Sequence, residues 1–131
     1  MKKIIQIEAS RHSAFELSIG ELGAFPTINR PQVLWVGVEA PQELYAIQSG
    51  IENEAARLGY TPENRPFSPH LTLARTARNA TPEDVRKISS VLAGYKVGYL
   101  GALKVQELHL YKSDLQRSGA VYTRLFTVGL Q

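Results

Sequence analysis

The sequence predicts an α+β fold in which two helices accompany a mainly antiparallel sheet. Segments with strand and helix periodicity mix along the 131 residues in the order strand, strand, helix, strand, helix, strand, strand. A short polar loop joins the last two strands, so we expect these to be antiparallel neighbours. No shift in composition marks a domain boundary, and the length suits a single domain over residues 1–131.

The first part of the chain contains an ambiguous segment and two clear strands. Residues 2–11 fit either a strand or one face of a helix, because their isoleucines satisfy both periodicities. Residues 15–19 alternate apolar and polar side chains, which is typical of a half-buried strand. Residues 22–31 read as a connection punctuated by Gly and Pro. Residues 33–38 form a nearly continuous apolar run, as expected for a strand covered on both faces.

Two helices have clear sequence limits. The first begins at Pro41, which suits the first turn of a helix, and ends at Gly59, which suits a left-handed C-terminal cap. The second begins at Thr81, which opens a capping-box pattern with proline at the first helical position. It ends at Gly94.

The remaining strands lie between and after these helices. Residues 67–75 read as a strand that follows a proline-rich turn. The two C-terminal strands are predicted at residues 103–112 and 120–129, with residues 112–119 as the polar loop between them.

Composition excludes several classes of protein. The absence of cysteine excludes a disulfide framework, a thiolate metal site and a cysteine nucleophile. Nucleotide-binding glycine loops, the HExxH zinc motif and the nucleophile elbow of hydrolases are all absent. The net charge of +3 permits an anionic partner without implying one. With neither a signal peptide nor an apolar window long enough to cross a membrane, we expect a cytoplasmic protein with no membrane partner.

The stretch from residue 65 to residue 75, RPFSPHLTLAR, contains the best candidate for chemistry. On a strand His70 and Thr72 share one face, where an imidazole can transfer a proton and a hydroxyl can hold a phosphate oxygen. Arg75 adds a fixed positive charge. By strict alternation it faces the other way, unless the strand ends or twists near Ala74. Because His-x-Thr is short enough to arise by chance, a purely structural histidine stays open as the alternative.

The other two histidines give no metal signal. His12, His70 and His109 lie far apart in sequence and lack the spacing of metal ligands, so we expect no metal and no cofactor. His109 alternates with Glu107 and Tyr111 on one strand face, which favours a structural role.

Beyond these patterns, the sequence resembles the bacterial and archaeal RNA 2',3'-cyclic phosphodiesterase family, also called the 2'-5' RNA ligase family, of the two-histidine phosphoesterases. The strongest match is the RPFSPHLTLAR stretch. The matches keep their order along the chain at residues 15–17, 22–26, 30–31, 33–38, 65–75, 110–113 and 122–123.

The resemblance implies a bilobal α+β fold whose two halves each supply one His-x-Ser/Thr motif to a cleft. One histidine acts as general base and the other as general acid, the hydroxyls hold the phosphate, and no metal is needed. Family members open 2',3'-cyclic phosphates to 2'-phosphates and can join RNA ends through 2'-5' linkages. Carried onto this chain, the second motif is His70 and Thr72 as catalytic residues, with Arg75 as the substrate-binding arginine. RNA or a nucleotide with a 2',3'-cyclic phosphate is the implied partner.

The chain departs from the family at its start. Family members have roughly a third of their length, including the first motif, before the region that matches here. By this alignment residues 1–13 look like the helix that leads into the first strand, which makes His12 a surface helix residue. Three readings stay open: a cleft completed by a homodimer, a phosphate-binding module without turnover, and a shortened gene product whose missing third is supplied elsewhere.

Overall fold

The computed structural model describes residues 1–131. Three helices and six strands follow one another as α1 (Lys2–Ala9), β1 (Phe15–Pro26), β2 (Pro31–Glu39), α2 (Gln42–Arg57), β3 (His70–Arg75), α3 (Pro82–Gly94), β4 (Tyr99–Val105), β5 (Glu107–Gln116) and β6 (Gly119–Gly129). The chain divides into two compact units. We name them the central unit, residues 17–40 and 68–103, and the terminal unit, residues 1–16, 41–67 and 104–131.

The central unit is built on a four-stranded sheet with the order β3-β2-β1-β4. Strand β2 pairs antiparallel with both β1 and β3, so β3 lies at one edge. Helix α3 packs against β2. Ala24 and Val36 are buried on the same side of the sheet, because each alternates with residues that face the other way.

The terminal unit combines the antiparallel ribbon β5-β6 with helices α1 and α2. Helix α1 contacts α2, β5 and β6 and buries Ile5 and Ala9. The carboxylate of Glu8 is buried as well, 2.9 Å from His12 Nε2 and 3.6 Å from Arg11 Nη1. A buried carboxylate needs such partners, because its desolvation is otherwise costly.

Helices α2 and α3 begin and end close to where the sequence predicts. Pro41 is the N-cap of α2, and Gly59, just past its end, adopts a left-handed φ of 98°. At α3 the predicted capping box is confirmed: Asp84 N donates to Thr81 Oγ1 at 3.1 Å, and Thr81 N donates to Asp84 Oδ2 at 3.0 Å.

The predicted α+β class with antiparallel sheets is confirmed, with three helices rather than two, because residues 2–9 form α1. The connection predicted at residues 22–31 is wrong over its first half, where β1 continues to Pro26. Gly23 lies within this strand opposite Trp35 on β2, and the indole of Trp35 occupies the space that a side chain at position 23 would need. The single domain predicted over residues 1–131 stays a prediction.

The C-terminal region has three strands where the sequence predicts two. Strand β4 joins the sheet of the central unit, whereas β5 and β6 pair only with each other. The predicted loop at residues 112–119 is wrong, because the ribbon continues to a tight turn before Gly119, whose φ is 120°. Polar side chains on an exposed ribbon have the composition of a loop, which explains the error. None of the three helices has the length and apolarity that crossing a membrane requires.

Candidate active site

The His-x-Thr motif lies on the edge strand β3, and its neighbours on β2 define one face of the sheet. His70 pairs with Gly37 and Thr72 pairs with Trp35. Directly opposed residues of antiparallel strands point to the same side, so His70, Thr72 and Trp35 share a face. We call this the His70 face. The imidazole and the hydroxyl are both exposed on it.

Arg75 is brought to the same face by an irregularity in β3. The register shifts between Leu34, which pairs with Ala74, and Trp35, which pairs with Thr72, so Leu73 is an extra residue on β3. An extra residue of this kind reverses the alternation beyond it. Arg75 consequently pairs with Val33, which lies two residues before Trp35 on β2 and so on the His70 face. The opposite orientation expected from strict alternation is avoided by this bulge.

One hydrogen bond determines which nitrogen of His70 is free for chemistry. His70 Nδ1 lies 2.7 Å from the carbonyl oxygen of Ser68. A carbonyl oxygen only accepts hydrogen bonds, so Nδ1 carries the hydrogen and donates it. Nε2 then carries no hydrogen and is able to accept a proton, and the contact with the Ser68 carbonyl orients the ring.

Two aromatic rings surround the imidazole. Phe25 contacts the His70 ring edge-on, with the ring centroids 4.9 Å apart, and the Trp35 centroid lies 6.2 Å from it. Phe25 and Trp35 also pack on each other at 5.3 Å. The sequence predicts neither ring as part of the site. No local pattern reveals this contact, because Gly23 and Trp35 become neighbours only when β1 pairs with β2.

The indole of Trp35 is held by packing rather than by hydrogen bonding. Its Nε1 is buried and has no hydrogen-bond partner, which is uncommon for a buried donor. The ring lies over Gly23 and against Phe25, and these contacts offset the unmade hydrogen bond. Trp35 therefore forms a rigid apolar surface next to Thr72 and His70.

Positive charge dominates the end of the His70 face. Arg75 is exposed and pairs with no carboxylate. Together with the Thr72 hydroxyl, its guanidinium offers hydrogen-bond donors to an anion. The structure contains no group of three or more His, Asp or Glu side chains arranged to hold a metal ion.

The other two histidines lie in the terminal unit and have carboxylate partners. His12 follows the end of α1 and is mostly buried against Glu8, so the expectation of a surface helix residue is wrong. His109 lies on β5 as predicted, with Nδ1 hydrogen-bonded to the Thr127 hydroxyl at 2.8 Å and Nε2 3.4 Å from Glu107.

Comparison with known proteins places these features in a family. The model of the 2'-5' RNA ligase superfamily matches residues 1–117. The chain is 34% identical to the RNA 2',3'-cyclic phosphodiesterase of Aeropyrum pernix over 94% of its own length and 69% of that protein's. It is 28% identical to the RNA 2',3'-cyclic phosphodiesterase of Methanothermobacter thermautotrophicus over 94% of its own length and 65% of that protein's.

Solved structures give the same result for the fold. The chain superposes on a crystal structure of a Thermus thermophilus protein with a TM-score of 0.71 and 26% identity, covering 98% of this chain and 67% of that one. For Escherichia coli LigT complexed with 3'-AMP the TM-score is 0.70 and the identity 28%, with coverage of 98% and 67%. The E. coli protein has also been crystallised with ATP and with NADP+.

The chain thus spans about two thirds of the length of these relatives. The family match extends over most of its residues and includes the strand with the His-x-Thr motif. The chain belongs to the 2'-5' RNA ligase superfamily, in the family of RNA 2',3'-cyclic phosphodiesterases.

Proposed function

We propose that this chain supplies one half of a metal-free phosphodiesterase site for RNA or nucleotides that end in a 2',3'-cyclic phosphate. The observation that carries the proposal is the His70 face, on which the Leu73 bulge adds Arg75 to His70 and Thr72. A proton-transfer group, a hydrogen-bond donor and a fixed cation each assist hydrolysis of a phosphodiester. The RNA 2',3'-cyclic phosphodiesterases among its relatives support the same substrate.

The reaction needs proton transfer at two oxygens. A base removes a proton from water while the water oxygen bonds to phosphorus. The bond between phosphorus and O3' breaks, and an acid gives O3' a proton, which leaves a 2'-phosphate and a 3'-hydroxyl. His70 Nε2 performs one of these transfers. The Thr72 hydroxyl donates to a non-bridging oxygen, and Arg75 stabilises the charge that develops on phosphorus oxygens.

The second histidine comes, in this proposal, from a second copy of the chain. Each chain has one His-x-Thr motif, and a two-fold axis that passes through a surface patch places two copies of that patch opposite each other. Strand β3 lies at a sheet edge and exposes Leu71 and Leu73, at 47% and 61% of their surface. Exposed apolar edge strands favour association. The active form in this proposal is accordingly a homodimer, and the proposed location is the cytoplasm.

The proposal is tested by following hydrolysis of a nucleoside 2',3'-cyclic phosphate by 31P NMR. We expect His70→Ala to reduce the rate about 10²- to 10⁴-fold, the usual contribution of a general acid or base. His109→Gln is the matched control, because it removes an imidazole from the terminal unit, and its rate should equal that of the unchanged protein. Equal activity of the His70 and His109 variants would contradict the proposal.

A separate experiment tests whether the active form is a homodimer. Analytical ultracentrifugation should show a dimer, and specific activity should fall as dilution dissociates it. A stable monomer with full activity would rule out the homodimer.

The single motif per chain also favours a second candidate function, a module that binds terminal phosphates without turnover. Thr72 and Arg75 are sufficient for binding, and the contact would weaken with salt because it is electrostatic. Binding of a cyclic phosphate with no hydrolysis at any protein concentration would support this function over catalysis.

A further inference from the structure

A second positively charged feature lies beyond the His70 face, in the central unit. A cavity of about 760 Å³ is lined by Arg30 just before β2 and by residues of β2, β3, the segment after β3 and α3. Three of its lining residues are arginines, Arg30, Arg75 and Arg78, and none is acidic. We call it the arginine cavity. Its volume is within the range of pockets that bind small-molecule ligands.

The three arginines lack partners within the protein. None of them forms an ion pair, whereas Arg11, Arg57 and Arg65 in the terminal unit each pair with a glutamate. The carboxylates of the first turn of α3 are already engaged, since Glu83 pairs with Lys87 at 3.8 Å and Asp84 accepts the hydrogen bond from Thr81 N. The charge of the arginine cavity is therefore not neutralised by its own walls.

The backbone around the arginines is held by hydrogen bonds. Arg30 N donates to the Thr27 carbonyl at 3.2 Å and lies 3.1 Å from the Thr27 hydroxyl, which forms a turn at one wall. Thr76 clamps β3 to β2, with its hydroxyl donating to Pro31 O at 2.7 Å and its N–H donating to Gln32 O at 2.9 Å. These hydrogen bonds fix the backbone from which Arg30 and Arg75 project, so less of the chain has to be ordered when a ligand binds.

Arg75 belongs to both features, because it pairs with Val33 on the His70 face and both residues also line the arginine cavity. A 2',3'-cyclic phosphate occurs only at the 3' end of a strand. The rest of an RNA substrate whose terminal phosphate lies at His70 therefore extends away from His70 in the 5' direction of the strand. The arginine cavity adjoins that face and contains the cations that the next phosphates need.

We propose that the arginine cavity binds the internucleotide phosphates of an RNA strand whose terminal phosphate lies at His70. This inference rests on the proposed function for the position of the terminal phosphate. It assigns Arg30 and Arg78 to binding of the strand, and it predicts that the protein prefers oligoribonucleotides to mononucleotides.

Fluorescence anisotropy with a labelled octaribonucleotide that ends in a 2',3'-cyclic phosphate tests the proposal. We expect Arg30→Gln and Arg78→Gln each to weaken binding roughly three- to tenfold and to lower the slope of log K against log salt by about 0.7, the value for one phosphate contact on a single strand. Arg117→Gln is the matched control, because it removes the same charge at the exposed β5-β6 turn. Binding of the control should equal that of the unchanged protein.

Two competition experiments distinguish the ligands. Cytidine 2',3'-cyclic phosphate, used as a competitor of the labelled octamer, should bind the Arg30→Gln, Arg78→Gln and unchanged proteins with equal affinity. ATP should compete with the octamer only weakly. Equal loss for the mononucleotide and the octamer, equal octamer affinity of the three arginine variants, or tight Arg78-dependent binding of ATP would each overturn the inference. Because these are binding measurements, a protein that binds the octamer as expected but hydrolyses nothing contradicts the proposed catalysis and leaves the arginine cavity supported.

Discussion

The histidines of the central and terminal units differ in their partners. In the terminal unit His12 and His109 both contact a glutamate, at 2.9 and 3.4 Å. In the central unit His70 Nδ1 donates to a backbone carbonyl and the ring packs near two aromatic side chains, while Nε2 has neither a carboxylate nor a hydrogen-bond partner. A histidine that the protein itself pairs with a carboxylate contributes to structure, whereas His70 has no charge partner and is available to a ligand.

The strongest test of this contrast compares two threonines that each accompany a histidine. Thr72→Val should lower hydrolysis of a 2',3'-cyclic phosphate by about 10²- to 10³-fold, because a hydrogen-bond donor to the transition state is lost. Thr127→Val removes the hydroxyl that contacts His109 and should leave the rate unchanged. The initial rates of the two purified variants provide the comparison, and a similar loss in both would remove the distinction between the units.

A second comparison uses two glycines whose missing side chains make room for a neighbour. An alanine at position 23 meets the Trp35 indole, and an alanine at position 50 meets the carboxylate of Glu8. We expect each substitution to lower the free energy of unfolding by about 1–3 kcal/mol through overpacking, measured by urea denaturation.

The rate of cyclic phosphate hydrolysis should distinguish Gly23→Ala from Gly50→Ala. Gly23→Ala displaces Trp35 from the His70 face, so it should reduce hydrolysis and change the fluorescence of the only tryptophan. Gly50→Ala disturbs the α1–α2 contact and should leave hydrolysis by the folded protein intact. Gly101→Ala is the control, because nothing lies within 4 Å of the added Cβ. Unchanged fluorescence in Gly23→Ala would show that the indole does not depend on this glycine.

The smallest expected effect concerns the cap of α3. The hydrogen bond from the Thr81 backbone, and then the one with its side chain, lowers the pKa of Asp84 below its ordinary value. A carboxylate with a lowered pKa stabilises the fold above its unfolded pKa of about 3.9, and this contribution is lost as the pH falls through the folded pKa. Thermal melts at several pH values should show a shallower acid loss for Asp84→Asn than for the unchanged protein. An equal loss of melting temperature at acid pH in both proteins would contradict this role of Asp84.

Much of the fold follows from local patterns. The Thr81 cap, Pro41 and Gly59 set the helix limits because capping depends on residues adjacent in sequence. The strand at His70 and the shared face of His70 and Thr72 follow from the two-residue period of a strand. The sequence-based predictions that are wrong mostly concern residues whose spatial neighbours come from distant parts of the chain. Gly23 reads as a loop residue until Trp35 is seen to lie over it.

The sequence by itself determined the α+β class, the family and the candidate pair His70 and Thr72, because periodicity, caps and a contiguous motif are local properties. Only the tertiary structure decided that Arg75 joins that pair, since the Leu73 bulge depends on how β3 pairs with β2. It also decided that Arg30 and Arg78 meet Arg75 around one cavity. Strand register and the approach of distant loops depend on packing between remote segments, which no local pattern encodes.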